Sequence, residues 1–458
     1  MKNVYNFLVF YDMFILLIFL ASIYYWLRGK LVGAITLLFL VVTNIMDLKF
    51  FSGTILETHN YIFLFTNFVL LSDFAKGKLV ADMKEDKFLK LLVYGYLCFL
   101  LHCFLTIALR LDSIKYATAT LRVDISALLL YFIARKLSMA DIKGAFKNIC
   151  VITVVHCVLY LLQYVGINLF GGENYLNEGT STLRNGTPAA LPLLFLLQLY
   201  VFKNYKQAFL FVIPMFGGAA RGMLVALATG FAAFYRKLIF KPKYFIIIAV
   251  TVVISYTAYN QFLAKDYQRY DVSFTQEIAK AFDPKTLTDY SAYAGSGNNA
   301  FSFKDNGTFA FRISMVLERF SYLLHNPQYL PFGVGMVAEE SENNNFRFFL
   351  GTANEMYRSG YCMIASNDIV WSSVVLRYGL FGIIFWILFF INTKKILTLS
   401  DKSVWAQVGY IYWVFFIFNS FGSDAVVRAY SLLPFYLLIT YCLKEKKLYA
   451  SINHNSDV

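Results

Sequence analysis

The sequence predicts an all-α polytopic membrane protein with about 12–13 transmembrane helices. Hydrophobic residues make up 59% of the chain, and the mean hydropathy is +0.56. Apolar runs of about 15 to 25 residues recur along most of the chain, which is the length that an α-helix needs to cross the hydrocarbon core. The runs are continuously apolar and lack the alternation of a lipid-facing β-strand, so they indicate helices.

The apolar runs divide the chain into predicted spans. They cover residues 5–27, 31–46, 60–75, 88–109, 117–134, 146–168, 188–202, 207–235, 244–263, 367–391, 404–423 and 427–443. Lysine clusters mark the loops that stay in the cytoplasm, because cytoplasmic loops are enriched in Lys and Arg. All clusters fall on one side only if 207–235 crosses twice, as two short helices that meet near Arg221. We therefore expect Arg221 at the outer end of a hairpin and the C-terminus inside.

One large polar segment separates two groups of spans. Residues 264–366 have an ordinary soluble composition and are predicted to form an extracytoplasmic, periplasmic loop domain. The bundle that precedes it covers 1–263 and includes the short-helix hairpin 207–235. The C-terminal spans cover 367–443, and a cytoplasmic tail covers 444–458.

The arginines oppose the usual charge bias of membrane proteins. Only Arg28, Arg135 and Arg236 lie in predicted cytoplasmic loops. The others, which lie outside or within spans, are Arg110, Arg122, Arg184, Arg221, Arg269, Arg312, Arg319, Arg347, Arg358, Arg377 and Arg428. Positive charge in these places is unfavourable for insertion, so it needs a compensating anion. A guanidinium fork matches phosphate or carboxylate, which predicts an anion site at the outer membrane surface.

Some of these arginines have a nearby carboxylate, which offers a purely structural explanation. The pairs are Arg110 with Asp112, Arg122 with Asp124, and Arg428 with Asp424. Arg184 and Arg221 have no carboxylate within four residues, which favours a functional role for them.

Arg122, Arg377 and Arg428 form a candidate path for a lipid phosphate. Arg377 lies about 15 Å below the start of its predicted span at Asn367, and so near the middle of the membrane. Its alternative role is an ion pair, with Asp12, Asp47 or Glu57 as partner.

An anion pocket at the membrane surface suits a substrate that is half lipid and half polar, such as a polyprenyl diphosphate carrying sugar. The predicted outer segments contain no D-x-D tripeptide and no His/Asp cluster with ligand spacing, so we expect no metal and no other cofactor. Arginines can instead stabilise the charge that grows on a diphosphate leaving group.

Ordered motifs in the second half of the chain resemble one family. They are Thr182-Leu-Arg184-Asn-Gly186-Thr-Pro188, Ala219-Ala-Arg221-Gly222, Arg312-Ile-Ser-Met, His325-Asn-Pro327, Pro331-Phe-Gly333-Val-Gly335, Ser366-Asn367-Asp368 and Gly379-Leu-Phe-Gly382. In this order, around one large outer loop, the motifs resemble the Wzy-type O-antigen or capsule repeat-unit polymerases and the related O-antigen ligases. The resemblance covers about residues 180–385.

The resemblance implies a GT-C-like, metal-independent and inverting glycosyltransferase in the bacterial cytoplasmic (inner) membrane. It implies transfer of the growing glycan from undecaprenyl diphosphate to a hydroxyl of an incoming lipid-linked repeat unit. Arg184, Arg221 and Arg312 would contact the diphosphate. The implied partners are the donor and acceptor lipids, the bilayer, a chain-length regulator and a flippase, and we expect no nucleic acid.

A helical pattern over 309–324 places Arg319 on one face with Arg312, and Glu318 off that face. The expected diphosphate ligands are Arg184, Arg221, Arg312 and Arg319. The expected catalytic residues are Arg184, Arg221, Arg312, Glu318 and Asp368, with Glu318, Glu355 and Asp368 as alternative bases.

Two alternatives remain beside the polymerase. Ser366 stands where the ligase branch typically has histidine, which favours a polymerase over an O-antigen ligase-type transferase. A lipid-linked oligosaccharide flippase would favour two similar halves and a site near the membrane midplane. The chain has no internal repeat, and its arginines are biased to the outer ends of spans.

Overall fold

A computed structural model of the protein describes residues 2–43, 58–167, 169, 187–217, 221–239, 241, 276, 279, 283, 303–338, 341, 346, 348, 369–398 and 403–456. These residues form α-helices, short 3₁₀ and π segments and turns, and no β-strand occurs among them. The all-α architecture expected from the apolar runs is therefore confirmed for this part of the chain.

Sixteen α-helices lie within the described ranges. In chain order they are α1 (Lys2–Leu27), α2 (Leu31–Val42), α3 (Thr58–Ala75), α4 (Lys78–Glu85), α5 (Lys87–Ala108), α6 (Ile114–Ile125), α7 (Tyr131–Ala134), α8 (Met139–Leu162), α9 (Leu191–Leu196), α10 (Tyr205–Gly217), α11 (Arg221–Phe234), α12 (Arg236–Ile239), α13 (Phe303–His325), α14 (Val370–Thr398), α15 (Val404–Asn419) and α16 (Ala429–Ser456).

Several of these helices are long and apolar enough to cross a membrane. Within the described ranges, three helical segments meet this test: Lys87–Ala108, Met139–Val165 and Val370–Thr398. A fourth span results if Ile114–Ile125 and Leu128–Ala134, which are bent by 52°, cross together. The described chain thus has fewer complete spans than the predicted number, because other apolar runs form helices of 10–17 residues or lie outside the described residues.

Two of the predicted spans can be compared with helix boundaries in the structure. The predicted span 117–134 is bent, because α6 ends at Ile125 and the chain turns by 52° before Leu128–Ala134. Two helices occupy the predicted segment 207–235, since α10 ends at Gly217 and α11 begins at Arg221, while their crossing of the membrane as a hairpin stays a prediction. The predicted span 244–263 and most of the predicted domain 264–366 lie outside the described residues.

Polar side chains fix where several helices begin. Asp86 accepts hydrogen bonds from the backbone N–H groups of Phe88 and Leu89, at 2.9 and 3.0 Å, and so caps α5. Ser138 and Asp141 form a reciprocal capping box at the start of α8. These bonds satisfy N–H groups that have no partner inside a helix, which sets the helix start.

The core of the described bundle surrounds α16. Residues 432–439 of this helix are all buried, and the helix contacts α7, α8, α14 and α15. A helix that is apolar on every side is expected at such a central position. The segment that leads into α16 is therefore held in a fixed position by the packed bundle.

Candidate arginine site

The segment 420–428, between α15 and α16, is the point where several elements meet. Trp371 at the start of α14 donates its Nε1–H to Ser420 Oγ at 2.9 Å. Arg312 of α13 also reaches this segment, because a Cβ atom added to Gly422 would lie 3.5 Å from Arg312 Nη1. We name the end of the bundle that carries 420–428 the site end.

Arg428 closes the segment with an ion pair. Its Nε donates to Asp424 Oδ2 at 2.7 Å, and its Nη2 contacts the same oxygen. The predicted pairing of Arg428 with Asp424 is confirmed. The turn 425–427 that precedes Arg428 contacts α14.

Asp124 of α6 is the centre of the site. Its Oδ2 accepts a hydrogen bond from Arg377 Nη1 at 3.0 Å and another from the Tyr378 hydroxyl at 2.5 Å. The Arg377 side chain is 7% exposed and that of Asp124 19%. We name Asp124, Arg377, Tyr378, Asp424 and Arg428 the arginine–aspartate cluster.

Two sequence-based pairings are wrong. Asp124 does not pair with Arg122, because residues two apart on a helix do not face each other. Arg122 is half-buried, and its Nε is buried without a hydrogen-bond partner among the described residues. Asp112 pairs with no arginine in the described structure, since its oxygens accept from the backbone N–H groups of Ser113 and Ala338 and from Ser341 Oγ.

The partner of Arg377 is a residue that sequence reasoning missed. Asp47 and Glu57 lie outside the described residues, as does the side chain of Asp12. Asp124 is 253 positions from Arg377 in the chain. An ionisable residue inside an apolar run requires a partner. This rule indicated that Arg377 and Asp124 each need a partner, but not that they pair with each other.

Arg221 is the first residue of α11 and lies at the site end. A Cβ atom added to Gly230 would lie 2.6 Å from the Ile411 carbonyl oxygen. The ring of Phe234 lies 6.5 Å from that of Tyr410. Later residues of α11 thus meet earlier residues of α15, so the two helices run antiparallel. The start of α11, about 14 Å from Gly230 by helical rise, therefore lies beside the end of α15.

Glu318 and Arg319 form an enclosed ion pair. Arg319 Nη1 donates to Glu318 Oε2 at 2.6 Å, and both side chains are fully buried. The guanidinium carbon of Arg319 lies 4.5 Å from the centre of the Phe348 ring. Glu318 was expected to lie off the Arg312/Arg319 face, but its carboxylate contacts Arg319. An unpaired charge is very costly in a closed interior, which explains this contact between adjacent residues.

We expect Glu318→Gln to destabilise the protein by about 3–5 kcal/mol, because it breaks an ion pair whose two side chains are fully buried. Thermal unfolding of the purified protein measures this loss. Activity per folded molecule should stay close to that of the wild type, because the carboxylate is enclosed. A variant of normal stability that has lost its activity would instead identify Glu318 as the base.

Three predicted residues lie outside the described residues, namely Arg184, Glu355 and Asp368. Of the others, Arg312, Arg377 and Arg428 and the start of α11 at Arg221 share the site end, whereas Arg319 is enclosed with Glu318. Within the described ranges, no group of three or more His, Cys, Asp or Glu side chains is placed to hold a metal ion.

No protein-family model matches the chain, and no curated protein sequence matches it. The functional interpretation therefore depends on the motifs and on the geometry of the arginine–aspartate cluster.

Proposed function

We propose that the protein polymerises lipid-linked oligosaccharide repeat units, and that the arginines of the site end bind the diphosphate of the donor lipid. The observation that supports this most strongly is the arrangement around Asp124. The Asp124 carboxylate holds Arg377 and Tyr378, and Asp424 holds Arg428 in the segment that Arg312 also reaches.

The carboxylates of the cluster keep the guanidinium groups in place before a ligand arrives. Asp124 orients Arg377, and Asp424 orients Arg428. Preorganised positive groups stabilise developing negative charge without reorganisation during the reaction. Arg122 adds a guanidinium whose Nε has no partner among the described residues.

The proposed reaction is a displacement at the anomeric carbon of the donor sugar. A hydroxyl of the acceptor attacks this carbon, the bond to the diphosphate oxygen breaks, and the polyprenyl diphosphate leaves as an anion. The arginines neutralise the charge that grows on the bridging oxygen. Asp368 and Glu355 are the remaining candidates to accept the hydroxyl proton, because Glu318 is fully buried in an ion pair with Arg319.

A flippase is the second candidate, because one spanning helix is broken. Gly379 of α14 has φ 56° and ψ −143° inside the helix, and discontinuous helices form substrate sites in many transporters. In those proteins the exposed backbone groups bind the substrate. Here the backbone groups beside Gly379 are occupied by another segment of the same chain, which favours a positioning role for the break.

Chain-length analysis of surface polysaccharide in a deletion strain tests the proposal. Loss of a polymerase leaves single repeats on the surface, whereas loss of a ligase leaves polymer on the lipid carrier. Loss of a flippase leaves no repeat at the outer face. We expect single repeats, and either of the other two patterns would contradict the proposal.

A further inference from the structure

The break in α14 lies directly after Arg377 and Tyr378. Gly379 is non-helical, while the residues on both sides belong to the helix. A break of this kind leaves N–H and C=O groups without their helical partners. Inside a membrane protein these groups need other protein partners, since hydrocarbon offers none.

The segment 330–335 supplies these partners with its own backbone. The hydrogen bonds are Val334 N to Leu376 O (2.9 Å), Gly335 N to Arg377 O (3.3 Å), Leu380 N to Leu330 O (2.9 Å) and Phe381 N to Pro331 O (3.0 Å). This segment is the Pro331-Phe-Gly333-Val-Gly335 motif together with the residue before it. Two motifs that are separate in sequence thus form one unit.

Two glycines allow this close approach. A Cβ atom added to Gly333, whose φ is +70°, would lie 2.3 Å from the carbonyl carbon of Arg377. A Cβ atom added to Gly379 would lie 2.5 Å from Leu330 O and 2.6 Å from Gly333 N. The obstructing atoms belong to the backbone, so a larger residue at either position must push the two segments apart.

The same segment is fixed at its other end to α5 and the turn after it. Thr106 Oγ1 accepts a hydrogen bond from Met336 N at 3.0 Å. Asp112 accepts from Ala338 N at 2.9 Å and from Ser341 Oγ at 2.5 Å. Residues 330–338 and Ser341, which we name the bridging loop, therefore connect α5 with the break in α14.

We propose that the bridging loop is a positioning element for the anion site, and that Gly333 and Gly379 are its positioning residues. The loop bonds to the carbonyl groups of Leu376 and Arg377. It thereby fixes the backbone from which Arg377 and Tyr378 reach Asp124. The identity of the anion as a lipid diphosphate rests on the proposed function, whereas the positioning of Arg377 does not.

A double-mutant cycle tests the positioning without any ligand. Gly379→Ala and Asp124→Asn are made singly and together in the full-length protein, and thermal unfolding is followed in detergent. If the loop positions Arg377 on Asp124, the melting temperature of the double variant falls by less than the sum of the decreases in the two single variants. Additive losses would overturn the proposal. Gly144→Ala is the control, because a Cβ atom there meets only the Val32 side chain, at 3.3 Å or more. The decrease in melting temperature caused by Gly144→Ala should add to the decrease caused by Asp124→Asn.

A milder variant covers the case in which Gly379→Ala does not fold. Thr106→Val removes the hydroxyl that accepts from Met336 N, while Thr106→Ser keeps it. We expect Thr106→Val to weaken the binding of inorganic pyrophosphate by about tenfold, since coupling through packed networks is commonly of this order, and Thr106→Ser to restore it. Equal affinity in Thr106→Val and the wild type, or no pyrophosphate binding by the wild type, would overturn the positioning of an anion site. Wild-type binding without glycan polymerisation would contradict the proposed function only.

Discussion

Replacing Asp124 with asparagine is expected to destabilise the unliganded protein by about 3–5 kcal/mol, because it breaks a largely buried ion pair with Arg377. The same change should weaken the binding of a diphosphate, since Asp124 no longer holds the Arg377 guanidinium in place before the ligand arrives. Bound pyrophosphate should therefore stabilise the variant less than it stabilises the wild type. Thermal unfolding with and without pyrophosphate measures both effects.

Glu85→Gln provides the matched control for that experiment. Glu85 pairs with Lys447 at 2.8 Å, and both side chains are largely exposed. Exposed pairs contribute about 0–1 kcal/mol, so this variant should unfold like the wild type. An unchanged or stronger affinity for pyrophosphate in Asp124→Asn would contradict the preorganisation of Arg377 by Asp124.

Replacing Arg221 with lysine is expected to abolish long-chain polysaccharide while the protein is still inserted at normal levels. Lysine keeps the charge but loses the planar fork that binds phosphate at two points. Removing one such group from a preorganised site costs about 10²–10³ in rate. Gel analysis of surface glycan in a complemented deletion strain measures the result.

Arg28→Lys is the control for Arg221→Lys. Arg28 is exposed in the turn after α1, with its guanidinium carbon 5.4 Å from the Tyr24 ring centre. This variant should give normal chain lengths. Normal chain lengths in Arg221→Lys as well would remove Arg221 from the site.

Local patterns in the sequence were sufficient for much of the architecture. Apolar runs predicted the helices. The requirement that all lysine clusters face the cytoplasm predicted a division near Arg221, and in the structure α10 ends at Gly217 and α11 begins at Arg221. The helix predicted over 309–324 lies within α13, and the spacing of Asp424 and Arg428 predicted their ion pair. Each of these features depends on residues that are close in the chain.

The centre of the candidate site could not be predicted in the same way. Asp124 meets Arg377 across 253 positions, and Thr106 meets Met336 across 230. Periodicity contains no information about such contacts. The enclosed pair of Glu318 and Arg319 was also missed, because helical spacing places adjacent residues on different faces, whereas complete burial brings their charges together.

The glycine motifs illustrate the same difference. Their sequence showed where glycine occurs but not why. In the structure, Gly333 and Gly379 lie backbone against backbone, with Gly333 N 2.6 Å from the position of a Cβ atom on Gly379. The close approach places the Pro331-Phe-Gly333-Val-Gly335 motif beside Arg377, next to the arginine–aspartate cluster.

The most direct test is polymerisation by the purified protein in lipid nanodiscs, supplied with a polyprenyl-diphosphate-linked repeat unit in the presence of a metal chelator. We predict a ladder of glycans from the wild type and from the exposed control Arg28→Gln, and single repeats from Arg377→Gln and Arg428→Gln. Each new glycosidic bond should release one polyprenyl diphosphate. A wild type that produces no ladder, or cluster variants that produce a full one, would contradict the assignment of the arginine–aspartate cluster as the diphosphate site of a glycan polymerase.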